Sequence, residues 1–92
     1  MTYNSVKSSV KNINWIYGTI ENDFGRYDFC IKRFENGSEH GINEGRILKL
    51  EIRIYNNANF FGKIIANYDS TWEVEVSKEH KKIYQKILNK FN

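Results

Sequence analysis

The side chains with the strongest claim to chemistry lie in one stretch, ENGSEHGINEGRILKL at 35–50. Glycines at 37, 41 and 45 fall at even four-residue intervals, with Glu39, His40 and Glu44 between them. A phosphate cradle needs successive backbone N–H groups aimed at the anion, normally a helix N-terminus behind them and a lysine close by. Here the spacing matches neither nucleotide fingerprint, and an alternating apolar run follows where a helix would be needed. Charge argues the same way. Glu35, Glu39 and Glu44 surround the loop against a single Arg46 and a neutral His40, and that many carboxylates repel a phosphate. The stretch reads first as a wide, structured turn, second as a protein-contact loop and last as a phosphate site. Asn36-Gly37 and Glu44-Gly45 are its expected positions of positive φ.

Metal binding and catalysis have less behind them. His40 and His80 lie forty residues apart and Cys30 has no second cysteine, so no metal site and no cofactor is expected. Glu39, His40 and Glu44 follow no known cation loop, and a solvated acidic turn is the preferred reading. A nucleophile needs a base, and the base an orienting group. Cys30 and His40 are the pair on offer, yet a single cysteine within a strand is more often a small packed hydrophobe than a thiolate. No catalytic residue is assigned, and the chain is expected not to be an enzyme. His80 is expected on the surface.

A small fold must position these groups. A chain of 92 residues forms one domain, and at this size roughly 60% of the unfolded surface is buried. Its 14 aromatic residues help, because each ring buries much area at small rotamer cost. No apolar run reaches the roughly 18 residues of a membrane span, and MTYNSVKSSVKNIN at the start lacks a secretion-signal core. With a lone cysteine, these features predict a cytoplasmic protein. Asn, Ile and Lys supply 34 of the 92 residues, all with A/T-rich codons, so part of the lysine content reflects mutation bias. The net charge of +3 loosely suggests nucleic acid, but residues 77–92 alone carry a balance of +4 while residues 1–76 stand at −1. A basic sheet face for nucleic acid is therefore not expected.

The pattern along the chain is mostly that of strands. Trp15 to Ile20 is aromatic and β-branched, with Gly18 marking a bulge or a close backbone approach. ENDFGR at 21–26 is turn chemistry. Tyr27, Phe29 and Ile31 alternate with Asp28, Cys30 and Lys32. Leu48, Leu50, Ile52 and Ile54 alternate with Lys49, Glu51, Arg53 and Tyr55. A fourth strand is read at Lys63–Tyr68 and a fifth at Trp72–Val76. Ser77 suits a helix N-cap, and Ile83, Tyr84, Ile87, Leu88 and Phe91 form one helical stripe with lysines around it. The predicted fold is α+β: an antiparallel sheet of about five strands, a meander, with one C-terminal amphipathic helix packed on one face. It is a single domain over 1–92, with 1–12 as an arm or short helix, 14–76 as the sheet and 77–92 as the helix.

Trp15, Tyr17, Tyr27, Phe29 and Trp72 are candidate stacking platforms for bases, though core packing explains most of them. Phe60 and Phe61 are adjacent, so in a strand they point to opposite faces and one of them offers a contact patch near Tyr55. The lysines of the last helix read as its solvated side before they read as an anion-binding face.

The motifs WIYGTI (15–20), FENGSEHGINEGRILKL (34–50) and NYDSTW (67–72) resemble a family of small proteins of phages, prophages and other mobile elements of Gram-positive bacteria. That family has a W-x-x-G opening, a GS-x-x-GI-x-x-GRI-x-KL centre and a YDRGW-like close, and the resemblance spans about residues 15–74. Ser38, Gly41, Ile42, Gly45, Arg46, Lys49 and Leu50 carry its centre. Ser70-Thr71 stands where the family has arginine-glycine, and the lysine-rich helix lies beyond the matched span. The resemblance brings no activity with it. It implies a counter-defence protein by genetic neighbourhood, acting in the cytoplasm of a host bacterial cell.

The expected function is therefore a non-enzymatic, anti-CRISPR-like inhibitor that binds a host immune effector protein directly. Its partner-binding residues would be Glu39, His40, Glu44, Arg46 and Lys49, with Phe60 and Phe61 as apolar anchor. One alternative is an oligomeric sponge for a small nucleotide, with Arg46, Lys49 and an aromatic at a subunit interface. Another is weak nucleic-acid binding through the terminal lysine face. Direct contact with nucleic acid is not part of the leading expectation, nor is a membrane, while a homo-oligomer is compatible with it.

Overall fold

The structure is a computed structural model that describes residues 1–8, 12–56 and 62–92. Among the described residues it contains β1 (Thr2–Lys7), β2 (Ile13–Asn22), β3 (Gly25–Phe34), β4 (Ile47–Ile54), β5 (Ile64–Asp69), β6 (Trp72–Val74) and the helix α1 (Lys81–Phe91). The strands form one antiparallel sheet in sequence order, and α1 packs against one face of it. This is the expected α+β meander, with six strands instead of about five.

The added strand corrects the reading of residues 1–12 as an arm or short helix. β1 pairs along its whole length with β2, from Thr2 opposite Thr19 to Lys7 opposite Asn14. All six of its residues are exposed, so it carries no apolar pattern. Its conformation comes from hydrogen bonding to an open sheet edge, a signal that lies in β2 and not in its own side chains.

The hairpin β2–β3 runs in register for ten pairs, from Ile13 opposite Phe34 to Asn22 opposite Gly25. Asn22 Oδ1 accepts from the N–H groups of Phe24 and Gly25 at 2.9 and 3.0 Å, which closes the turn. Gly18 lies in an unbroken register opposite Phe29, so it marks a close approach and not a bulge. A Cβ there would meet the Thr2 carbonyl and the Phe29 ring.

Two irregularities reshape the simple alternation. Lys32 faces Lys49 but Arg33 faces Ile47, so Leu48 is an extra residue in β4. The bulge reverses the facing of the strand's first residue: Ile47 is fully buried, Leu48 only half-buried. Leu50 and Ile52 take the expected buried face, whereas Ile54 is exposed. A second shift makes Ile65 extra in β5, and both Ile65 and Ala66 are buried.

The core lies between the sheet and α1. Ile16, Ile20, Tyr27, Phe29, Ile31, Leu50 and Ile52 meet Ile83, Ile87, Leu88 and Phe91 of the expected helical stripe. Ser77 does precede a helical turn, but that turn (Lys78–His80) is 3-10, and α1 begins only at Lys81. His80 is not a surface residue: its ring packs edge-on against Tyr27 at 5.5 Å with the side chain 15% exposed. The first turn of α1 lies near the β2–β3 hairpin, and the residue after it, Asn92, lies against the 35–46 loop.

Candidate functional site

The 35–46 loop is a closed, internally bonded bend. Phe34 N–H donates to the Arg46 carbonyl and Ser38 N–H to the Gly45 carbonyl, both at 3.0 Å, which joins its two arms. Gly41 N–H donates to the Ser38 carbonyl and Gly45 N–H to the Ile42 carbonyl, at 3.0 and 2.8 Å. Ile42 plugs the core at 2% exposure. Three groups from elsewhere hold the bend down. Tyr68 Oη donates to the His40 carbonyl at 2.7 Å, Asn92 Nδ2 donates to the Ile42 carbonyl at 3.0 Å, and Ile47 N–H donates to Asn92 Oδ1 at 3.0 Å.

The evenly spaced glycines are positions of close approach. A Cβ at Gly37 would crowd the Glu44 carbonyl, one at Gly41 the Gly45 carbonyl, and one at Gly45 the Asn92 side chain. No described glycine has a positive φ, contrary to the expectation for Gly37 and Gly45. Glu44, of the expected Glu44-Gly45 pair, does adopt it at φ 59°, and so does Asn43 before it at φ 52°. The loop needs bare backbone so that its strands can touch, and it turns on side-chain-bearing residues.

The expected binding residues separate into three places. Glu39, His40 and Glu44 stand exposed on the loop, with Glu39 Oε1 3.4 Å from His40 Nε2. Arg46 lies at the base, its Nη1 3.5 Å from the Glu35 carbonyl; burial first and the Arg46 charge second lower the pKa of the Arg33 guanidinium. Lys49 leaves from the opposite face of the sheet, 3.8 Å from Asp69. Within one chain, Arg46 and Lys49 do not converge. Phe60 and Phe61 lie outside the described residues.

That opposite face is the second candidate surface. The register aligns Trp15, Tyr17 and Thr19 of β2 with Lys32, Cys30 and Asp28 of β3, and these with Lys49, Glu51 and Arg53 of β4. Among the described residues no element packs over it. Trp15 and Tyr17 lie nearly parallel with centroids 6.4 Å apart, and Lys32 Nζ is 5.9 Å from the Trp15 ring. The other expected stacking residues are spent in packing: Tyr27 and Phe29 are in the core, and Trp72 sits between Tyr68 and Tyr84. Arg53 is engaged by the Glu51 carboxylate and by the Gly62 carbonyl, and Arg26 lies over the Tyr55 ring at 4.3 Å.

Two groups on this face are partly or wholly withdrawn from water: Cys30 is half-buried and Asp28 buried. Burial and the Glu51 charge push the Cys30 thiol up to about 11, with Lys49 opposing. Asp28 is 7% exposed, and its Oδ2 has no hydrogen-bond partner. Burial raises its carboxyl above 3.8, partly offset by Arg26. Asp28 was missed as a candidate because alternation assigns it to a solvated face; an acid in the centre of a strand was the available signal. Among the described residues no three His, Cys, Asp or Glu side chains group as metal ligands, and no helix is long and apolar enough to cross a membrane.

Comparison with known families places the chain. The model for a domain of unknown function (DUF7678) matches residues 14–92, and the chain belongs to that family. The match runs through α1, so the helix is part of the family unit, and β1 lies before the match. Comparisons with curated proteins and with solved structures found no match.

Proposed function

We propose that this chain is a non-enzymatic binding protein that inhibits a partner protein by direct contact through its 35–46 loop. The observation that carries the reading is the anchoring of that loop by Tyr68, Asn92 and Ile42, which holds Glu39, His40 and Glu44 outward before any partner arrives. Pre-ordering a contact loop removes an entropy cost from association. Its carboxylates steer the encounter toward a basic surface. The Cys30 thiol, held near 11, is a poor nucleophile at neutral pH, which also favours binding over catalysis.

The motif resemblance to proteins of phages and mobile elements supports one class of partner, a host immune effector, and a counter-defence role. A nucleic-acid channel on such an effector supplies the basic surface that the loop would occupy.

The test is capture of host proteins by the tagged chain under nuclease treatment, with the wild type and a Glu39→Lys/Glu44→Lys variant compared. The wild type should retain one stoichiometric protein and the variant should lose it. Both carboxylates are exposed, so the variant should keep the wild-type melting temperature within the equivalent of about 0.5 kcal/mol. Undiminished capture by the folded variant would refute the loop as the contact.

A further inference from the structure

We propose that the uncovered sheet face carries a receptor for one basic side chain, an arginine of the partner protein, with Asp28 as its carboxylate and Tyr17 as its aromatic wall. This deepens the reading of the chain as a protein-binding module and rests on it. The place is a concavity of about 570 Å³ lined by Asn4, Tyr17, Thr19, Asp28, Cys30 and Glu51. The register puts these groups in adjoining rows: Tyr17 lies opposite Asn4 and Cys30, Thr19 opposite Asp28, and Cys30 opposite Glu51.

Asp28 is the anomaly that calls for a ligand. A carboxylate withdrawn from water is normally paired or fully hydrogen-bonded, because burial removes its hydration without replacement. Asp28 is more than nine-tenths buried, and Oδ2 is unpartnered. The two arginines nearest in the register do not supply that oxygen with a donor. Arg53, opposite Asp28 on β4, is turned to Glu51 and to the Gly62 carbonyl. Arg26, two positions before it on β3, is stacked on Tyr55. A guanidinium from outside would supply both charge and a planar pair of donors, the geometry a carboxylate accepts best.

The walls suit the same group. Tyr17 is 47% exposed and stands on Trp15, so its outer face is open to a flat cation. Oδ2 is screened from solvent, so a ligand reaches it only by displacing a rim side chain, of which Tyr17 is an exposed one. Glu51 at the far wall adds negative charge while keeping its own arginine. A phosphate or nucleotide is the wrong sign for this place.

The experiment is an NMR titration of the isotope-labelled chain with N-acetyl-L-arginine methylamide, using the uncharged citrulline analogue as control. Saturable shifts should centre on Thr19, Asp28 and Cys30 in the millimolar range, and the citrulline analogue should bind at least tenfold more weakly. Asp28→Asn should cost at least tenfold in affinity, and Tyr17→Ala about threefold. Equal binding of the two probes, unchanged binding to Asp28→Asn, or shifts confined to Glu39 and Glu44 would each overturn the proposal. Should Asp28→Asn fail to fold, the citrulline comparison and Tyr17→Ala decide the question on native packing. The outcomes separate from those of partner capture. Capture through the loop without arginine binding removes only this receptor, and arginine binding without any captured protein removes the inhibitory function.

Discussion

The two faces of β3 bury side chains to different ends. Toward α1, Tyr27, Phe29 and Ile31 are packed among other apolar groups, and Phe29 fills the space left by Gly18 while its ring lies 5.8 Å from Phe91. One position away on the same strand, Asp28 is withdrawn from water and Cys30 half-buried beside Glu51, with no apolar layer above them among the described residues. The covered face gains stability from burial. The uncovered face loses some, and a group kept there against that loss is a better pointer to binding than any exposed charge.

Substitutions on the two faces should separate them clearly. Phe29→Ala opens a cavity under Gly18 and against Phe91, and should lower stability by about 3–5 kcal/mol in a denaturant titration. Were the loss no larger than for an exposed residue, the covered face would not be the source of the fold's stability. On the other side, the thiol at about 11 stands two units above its ordinary 9.0. Cys30 should therefore hold on the order of a hundredfold less thiolate than a free cysteine near pH 8. Its reaction with a disulfide reagent should be slowed accordingly, and should reach the free-thiol rate in denaturant.

The 35–46 loop belongs energetically to the covered side, since Ile42 and Asn92 tie it to the core. Gly41→Ala forces a methyl onto the Gly45 carbonyl and should cost about 2 kcal/mol, with amide exchange at Ser38 and Gly45 rising first. Asp28→Asn should act in the opposite direction, raising stability at pH 7 by about 1 kcal/mol, because it removes a charge whose burial outweighs the help it gets from Arg26. The pH dependence fixes the sign. A folded pKa above 3.8 means that Asp28 disfavours folding only when ionised. Its contribution is intact below pH 3.8 and lost as pH rises through the higher folded value, so the gain from Asn should vanish in acid and be complete at neutrality.

Much of the covered face is legible in the linear pattern. Period-two alternation in 27–31 and the stripe Ile83, Tyr84, Ile87, Leu88 and Phe91 name the groups that meet in the core, because burial imposes its own periodicity on residues that face it. The Asn22–Gly25 turn is legible for a local reason, a side chain that bonds its own backbone two and three residues on. The bulge at Leu48 is not: it transfers Ile47 to the core through a register choice made with β3. Among the candidate site residues, the exposure of Glu39, His40 and Glu44 follows from a polar loop, but only the assembled sheet decides that Lys49 stands beside Asp69 while Arg46 stays at the loop base by the Glu35 carbonyl.

The order of the β2–β6 strands, the helix and the apolar partners of each were thus present in the chain as local rules of spacing and turn chemistry. Packing alone decided that residues 2–7 become a strand, because a polar edge strand is recruited by an unpaired neighbour and carries no pattern of its own. Packing decided, too, that three glycines let the loop close on itself and that Asn92 locks it from fifty residues away, since close backbone approach leaves no mark except the absence of a side chain. It left Asp28 Oδ2 without a donor for the same kind of reason: both nearby arginines found partners that only the assembled sheet brings within reach.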